Sequence, residues 1–121
     1  MENNNPFGDT IYSYTRAQAI SDGVLVDLSQ FAVIREHWKI NLCCTDTVWS
    51  IIHAAVHNDG KDYEGILHDL SHMAKLAIGT NDGATLLFQC IVGTGLRSFK
   101  LHCGPGDTAV PVLTLMLPNE D

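Results

Sequence analysis

Residues 84–117 read ATLLFQCIVGTGLRSFKLHCGPGDTAVPVLTLML and mark the point where the chain changes from helical to strand-type periodicity. The run 84–92 is almost entirely apolar, which predicts a central strand covered on both faces. A Gly-Thr-Gly turn follows, and the alternation of apolar and polar residues over 97–103 predicts a half-buried strand. Residues 104–107 predict a loop and residues 110–117 the last strand. We therefore expect an antiparallel three-stranded meander at the C-terminal end.

Two helices are predicted before this meander. Apolar residues recur at helical spacing up to about residue 57, and residues 62–78 carry one continuous apolar face. The break at residues 58–60 is short, which predicts an antiparallel helical hairpin packed on one face of the sheet. The expected fold class is α+β, with a helical hairpin on a small antiparallel sheet.

The N-terminal third carries shorter signals. Thr15 and Gln18 have the spacing of a capping box, which predicts a short helix that ends at Asp22 and Gly23. Residues 24–26 form a brief β-branched run, residues 29–36 predict a helical turn, and residues 38–43 alternate as a candidate edge strand. A small N-terminal β element is thus expected to extend the sheet. The chain is interpreted as a single domain over residues 1–121, with a flexible polar tail at residues 1–8.

Composition and charge restrict the class of protein. The 121 residues are 45% hydrophobic and 17% charged, which is typical of a globular domain. The N-terminal residues lack the features of a signal peptide, so a cytoplasmic location is expected. The four cysteines, Cys43, Cys44, Cys90 and Cys103, form no C-x-x-C pair, and we expect them to be reduced.

The net charge of −7 comes from 14 acidic and 7 basic side chains, and no two basic residues are adjacent. This distribution argues against direct nucleic-acid binding, which needs a basic stripe. It favours a partner with a basic surface, such as a nucleic-acid-binding complex. The carboxylates are too sparse for a mimic of DNA.

Histidines form two pairs at i, i+4 spacing on the predicted helices, namely His53 with His57 and His68 with His72. Such a pair can provide two ligands to one metal ion. On helical wheels, however, both pairs lie away from the apolar faces, so they are expected to point outward and apart. No metal site is therefore predicted, and metal bound adventitiously or between subunits stays an alternative.

No catalytic constellation or cofactor motif is evident. His102 and Cys103 are adjacent on a predicted strand, so they should face opposite sides and make no Cys–His couple. The Gly-Pro-Gly-Asp segment at residues 104–107 leads into a strand and not a helix, so it is interpreted as a turn and not a phosphate loop. We expect a protein that is not an enzyme and binds no cofactor.

Two segments, the second of them interrupted at residues 108–110, carry a resemblance to a known family. Residues 11–27 read IYSYTRAQAISDGVLVD, residues 100–107 read KLHCGPGD and residues 111–118 read PVLTLMLP. In this order they resemble the two ends of a family of small, functionally uncharacterised proteins carried by plasmids and bacteriophages. The resemblance implies an accessory protein of a mobile element.

Small acidic proteins of mobile elements often inhibit host defence, so the resemblance and the charge together imply a non-enzymatic inhibitor of a CRISPR or restriction complex. The alternatives are a plasmid or phage maintenance or regulatory protein, and a small enzyme that modifies a defence component. A homodimer formed through the exposed edge of the meander is also possible. The predicted partner-binding residues lie in the two segments of the resemblance: Tyr12, Tyr14, Arg16, Asp22, Asp27 and Asp107.

Overall fold

The computed structural model of the chain describes residues 14–79 and 83–120. The predicted polar tail and Tyr12 lie outside the described residues. Within the described residues, none of the helices is long and apolar enough to span a membrane.

Helices form where the sequence provides start and stop signals. Thr15 caps the first helix in the predicted capping box with Gln18, and Asp62 caps the last helix by accepting a hydrogen bond from the amide of Gly65. Gly60, in the left-handed conformation with φ 69°, ends the third helix. The described α-helices are α1 Arg16–Ser21, α2 Ala32–His37, α3 Asp46–Asp59 and α4 Tyr63–Ile78.

One mixed sheet contains all five strands of the described residues, in the order β1-β2-β5-β4-β3. The pairs β3–β4 and β4–β5 are antiparallel, which confirms the C-terminal meander, and β1–β2 is antiparallel as well. The pair β2–β5 is parallel, so the expectation of a purely antiparallel sheet is wrong. The strands are β1 Leu25–Asp27, β2 Leu42–Thr45, β3 Thr85–Val92, β4 Gly95–Pro105 and β5 Pro111–Met116.

The core lies between the helices and one face of this sheet. Helices α3 and α4 are joined by residues 60–62 and contact each other, and both contact β3. Their apolar sides pack on Phe99 and Leu101 of β4, and Phe99 is fully buried. The α+β fold class is thereby confirmed, and the N-terminal β element extends the sheet as predicted.

Two strand predictions were wrong in position. The run 84–92 contains β3, which lies at the edge of the sheet and not in its centre, and its side chains alternate between exposed and buried instead of being covered on both faces. The predicted edge strand 38–43 is replaced by β2, which begins at Leu42, lies between β1 and β5 and is buried along its whole length. The predicted loop 104–107 is also shorter, since β4 continues to Pro105.

Candidate interaction surface

The first helix is held by a side chain from the loop between β4 and β5. The carboxylate of Asp107 accepts hydrogen bonds from the amides of Arg16 (2.7 Å) and Ala17 (3.0 Å). The first amides of a helix have no partner inside the helix, and a carboxylate there satisfies them and complements the helix dipole. The two segments that carry the family resemblance therefore meet in the structure.

The Arg16 side chain extends from this helix to the sheet. Its Nη1 donates to Thr114 Oγ1 at 2.8 Å, and its Nη2 donates to the carbonyl oxygen of Leu113 and to Asn41 Oδ1 at 3.3 Å. Among the described residues its Nε has no hydrogen-bond partner. Arg16 therefore ties α1 to β5 and to the residue before β2.

Asn41 links Arg16 to Asp27 and Cys43. Its Nδ2 donates to Asp27 Oδ1 at 3.1 Å, and its Oδ1 accepts from Cys43 Sγ at 3.4 Å. Asp27 Oδ1 also accepts from the amide of Ser29 at 2.9 Å. Burial raises the pKa of the Cys43 thiol, and the Arg16 guanidinium opposes that shift only in part. Cys43 is fully buried and stays a thiol, so it is not an activated nucleophile.

These groups belong to a row of side chains that crosses the whole sheet. On the face opposite α3 and α4, which we call the outer face, register pairing aligns one residue of each strand: Thr85, His102, Thr114, Cys43 and Asp27. His102 Nδ1 and Thr85 Oγ1 are 2.8 Å apart, so the histidine pairs toward β3. Strand β5 separates His102 from Cys43, and two strand spacings are about 10 Å. His102 is therefore too far away to act as a base for the Cys43 thiol.

The remaining predicted residues lie at the exposed end of α1. Tyr14 donates its hydroxyl to Asp22 Oδ2 at 2.6 Å. Tyr14, Arg16, Asp22, Asp27 and Asp107 are thus brought together in two groups, around α1 and around Asn41, and their side chains bond within the protein. Their role as partner contacts stays a prediction.

The histidine pairs lie on the surface, as the helical wheels predicted, and all four residues are exposed. His53 Nδ1 lies 2.7 Å from the Tyr63 hydroxyl, while His68 Nδ1 lies 2.9 Å from Nε2 of His37, a contact that sequence reasoning missed. Partial burial, then Lys75 and His68, lowers the pKa of His37. In the described part of the chain, no group of three or more His, Cys, Asp or Glu residues could hold a metal ion.

The free side of β3 is the feature that sequence reasoning placed wrongly. Three apolar side chains on the outer face are strongly exposed. They are Leu87 at 64% and Ile91 at 63% on β3, and Leu96 at 63% on β4. Ile91 and Leu96 are register partners on β3 and β4. We call these three residues the apolar patch. The signal that could have located it is the absence of charge, since residues 83–96 contain no ionisable acid or base apart from Cys90.

A groove runs between β3 and α4 beside this patch. One hollow of about 370 Å³ is lined by Asp69, His72, Met73, Gln89, Cys90, Ile91 and Leu96. A second hollow of about 360 Å³ is lined by Lys61, Asp62, Gly65, Ile66, Asp69, Ile91 and Gly93. Asp69 and Ile91 line both hollows, so we treat them as one feature and call it the edge groove. Met73, predicted from the sequence to belong to the buried face of its helix, is 37% exposed here.

Asp62, Asp69 and Lys61 are the charged side chains that line the edge groove, and Asp69 is the one that lines both hollows. Across residues 14–79 and 83–120, no hydrogen-bond or ion-pair partner contacts this side chain. Burial, and then the nearby negative charge of Asp69, raise the pKa of the Cys90 thiol on β3 to about 11. The groove therefore combines a strand edge, apolar side chains and an unpaired negative charge.

Comparison of the chain with protein-family models, with curated proteins and with solved structures found no match.

Proposed function

We propose that the protein is a non-enzymatic accessory protein of a mobile element, which acts in the cytoplasm by binding to and inhibiting a host defence complex of the CRISPR or restriction type. The observation that carries protein binding is the apolar patch. The choice of a defence complex as target draws on the resemblance of residues 11–27 and 100–118 and on the acidic character of the chain.

The patch has the properties of a docking surface. Single exposed apolar residues are common on soluble proteins, but Ile91 and Leu96 face each other across the β3–β4 pair and form one apolar surface that favours contact with another protein. Leu87 lies farther along the same face, beyond Gln89 and Ser98, and its register partner is Lys100. Burial of the apolar side chains contributes binding free energy.

The overall charge favours a basic partner. The net charge is −7, whereas residues 83–96 carry no Asp, Glu, Lys or Arg. A chain with this net charge attracts a partner rich in lysine and arginine over long range, which speeds encounter. Complexes that bind nucleic acid have such surfaces.

The molar ratio of this protein to the defence complex at which inhibition is complete tests this proposal. The purified protein would be titrated into a CRISPR effector or a restriction enzyme while DNA cleavage is followed. We expect inhibition to reach completion near one equivalent of protein, because a binder is consumed by its target. Complete inhibition at far lower amounts would instead indicate an enzyme, and cleavage unaffected across a panel of both classes of defence complex would contradict the proposal.

A matched pair of variants connects the inhibition to the patch. Ile91→Ser removes apolar surface from the patch, and Val110→Ser removes a side chain of similar exposure, 62%, from the loop between β4 and β5. We expect Ile91→Ser to weaken inhibition about tenfold, since loss of a buried branched side chain at an interface costs about 1–2 kcal/mol. Val110→Ser should inhibit as the wild type does. Equal inhibition by both variants would show that the apolar patch does not contact the target.

A further inference from the structure

We propose that the edge groove binds an extended segment of the partner as a sixth strand beside β3, with a lysine or arginine of that segment paired to Asp69. The inference rests on the proposed function in that it names how the partner is held. It specifies the occupant, which is a basic, extended peptide segment and not a second copy of this chain.

The edge of β3 is suited to strand addition. Over the described residues β3 pairs with β4 alone, and all eight of its positions, from Thr85 to Val92, are in register. A regular edge strand exposes amides and carbonyls on its free side, which pair readily with another extended chain. Proteins usually protect such edges with charged side chains, proline or a bulge. The β3 strand contains no proline or Asp, Glu, Lys or Arg, and its pairing with β4 shows no bulge.

Helix α4 supplies a wall along this edge. Asp62, Gly65, Asp69 and Met73 are spaced at three or four residues, so they form one stripe along the helix. The helix has 16 residues and the strand has 8. At about 1.5 Å and 3.3 Å per residue, both are about 25 Å long, and the groove between them is lined by residues 89–91 of the strand and by Gly93. An added strand would form hydrogen bonds with the free amides and carbonyls of β3 and would have α4 beside it.

The two sides of an added strand would meet different surroundings. Side chains on its outer face would extend the apolar patch beside Leu87 and Ile91. Alternate side chains would point toward α4, where Asp69 and Met73 line the groove. The expected segment therefore alternates apolar residues with others that include lysine or arginine. The methylene groups of a lysine can cover Met73 while its ammonium reaches Asp69.

Charge decides between a basic segment and a second copy. A second copy would bring the same excess of acidic side chains, two aspartates against the one lysine Lys61, whereas a basic segment would complement that excess. Like charges placed together at an interface oppose association. Asp62 already accepts a hydrogen bond from the Gly65 amide as the cap of α4, which leaves Asp69 as the unpaired acceptor. A cationic side chain is the complement of that site.

A defined peptide tests the groove without knowledge of the natural partner. The probe is acetyl-Val-Lys-Val-Lys-Val-Lys-Val-amide, titrated into the full chain while backbone amide signals are followed by NMR. We expect saturable shifts in β3 and the facing stripe of α4 at peptide concentrations up to about 1 mM, typical of a weak groove ligand. Alternate amides of β3 should also become protected from hydrogen exchange. Shifts located elsewhere, or their complete absence, would overturn the proposal.

Charge variants sharpen the result. Asp69→Asn keeps the shape of the side chain and removes the charge, whereas Glu64→Gln makes the same change on α4 outside the groove. We expect Asp69→Asn to weaken peptide binding about three- to tenfold, as for a partly exposed ion pair, and Glu64→Gln to leave it unchanged. The peptide with glutamate in place of lysine should not bind. Binding that Asp69→Asn leaves unchanged, or that Asp69→Asn and Glu64→Gln weaken equally, would contradict the assignment of Asp69.

Failure of this inference can be told apart from failure of the proposed function. If the wild type inhibits a defence complex stoichiometrically and Asp69→Asn inhibits equally well, the groove is not the contact although the function holds. If the peptide binds along β3 but no defence complex is inhibited, the groove is a strand-binding site and the target class is wrong.

Discussion

The two edges of the sheet differ in length, cover and charge. Strand β1 has three residues, all partly buried, and it contacts α1 and α3. Strand β3 has eight residues, no Asp, Glu, Lys or Arg, and four exposed side chains along its outer face. Short, covered edges resist pairing with other chains, and long uncharged ones invite it. Within residues 14–79 and 83–120, the β3 edge is therefore the longer of the two and the one without a charged side chain, which makes it the better candidate for pairing with another chain.

The largest expected contrast comes from one substitution made at both edges. Val26→Lys places an ammonium group where the side chain packs against the core, so it should lower the free energy of unfolding by about 3 kcal/mol. Ile91→Lys adds the same charge at an exposed position and should change stability by less than about 0.5 kcal/mol. Urea denaturation of both variants measures the difference. Similar losses of stability would mean that the β3 edge is not open.

A second contrast concerns two arginines. Arg16→Ala removes the donor to Thr114 Oγ1 and to the Leu113 carbonyl, and one of the two donors to Asn41 Oδ1, and should cost about 2 kcal/mol of stability. Arg97→Ala removes an exposed side chain of β4 near the open edge and should change stability by less than about 0.5 kcal/mol. The midpoints of chemical unfolding provide the comparison. Equal effects would show that the Arg16 hydrogen bonds do not hold α1 to the sheet.

The turn between β3 and β4 provides a smaller, local test of the open edge. Gly93 has φ 69°, and an added Cβ would lie 3.2 Å from the Ala55 Cβ and collide with the Asp59 carboxylate. Gly93→Ala should therefore destabilise by about 1–2 kcal/mol. At Gly95 an added Cβ meets nothing within 4 Å, so Gly95→Ala should have little effect. The thermal unfolding midpoints of the two variants show whether the turn requires glycine at residue 93 but not at residue 95.

The smallest expected effect is the loss of the cap on α1. Asp107→Ala removes the acceptor of two helix amides and should cost about 1 kcal/mol. Asp22→Ala removes only an exposed hydrogen bond to the Tyr14 hydroxyl and should cost less than about 0.5 kcal/mol. Both losses can be measured by urea denaturation at neutral pH. A larger effect of Asp22→Ala would place the main anchor of α1 at its other end.

Signals contained in a few neighbouring residues predicted the structure well. The capping box of Thr15, the stop at Gly60 and the extent of α4 were all confirmed, because each depends on local backbone geometry. The order of the strands could not be read in the same way. It depends on the parallel pairing of β5 with β2, which joins residues about 70 positions apart in sequence and has no local signature.

The candidate surface was missed for the same reason. An apolar run such as 84–92 is compatible with a central strand and with an edge strand whose outer face binds a partner. Met73 fitted the apolar stripe of α4, and only the position of β3 beside that helix leaves it in an open groove. By contrast, the link between Arg16 and Asp107 joins two segments that the sequence had singled out, although it is made by the backbone amide of Arg16, which donates to the Asp107 carboxylate.

The position of β5 has a consequence for synthesis. This strand leaves the ribosome after the other four, yet it occupies the middle of the sheet, between β2 and β4. Until it emerges, the nascent chain can hold only two separate strand pairs, β1 with β2 and β3 with β4, each with an exposed inner edge. Unpaired strands of this kind are prone to aggregate during folding. Completion of the sheet therefore waits for β5, which closes the gap between the β1–β2 pair and the β3–β4 pair.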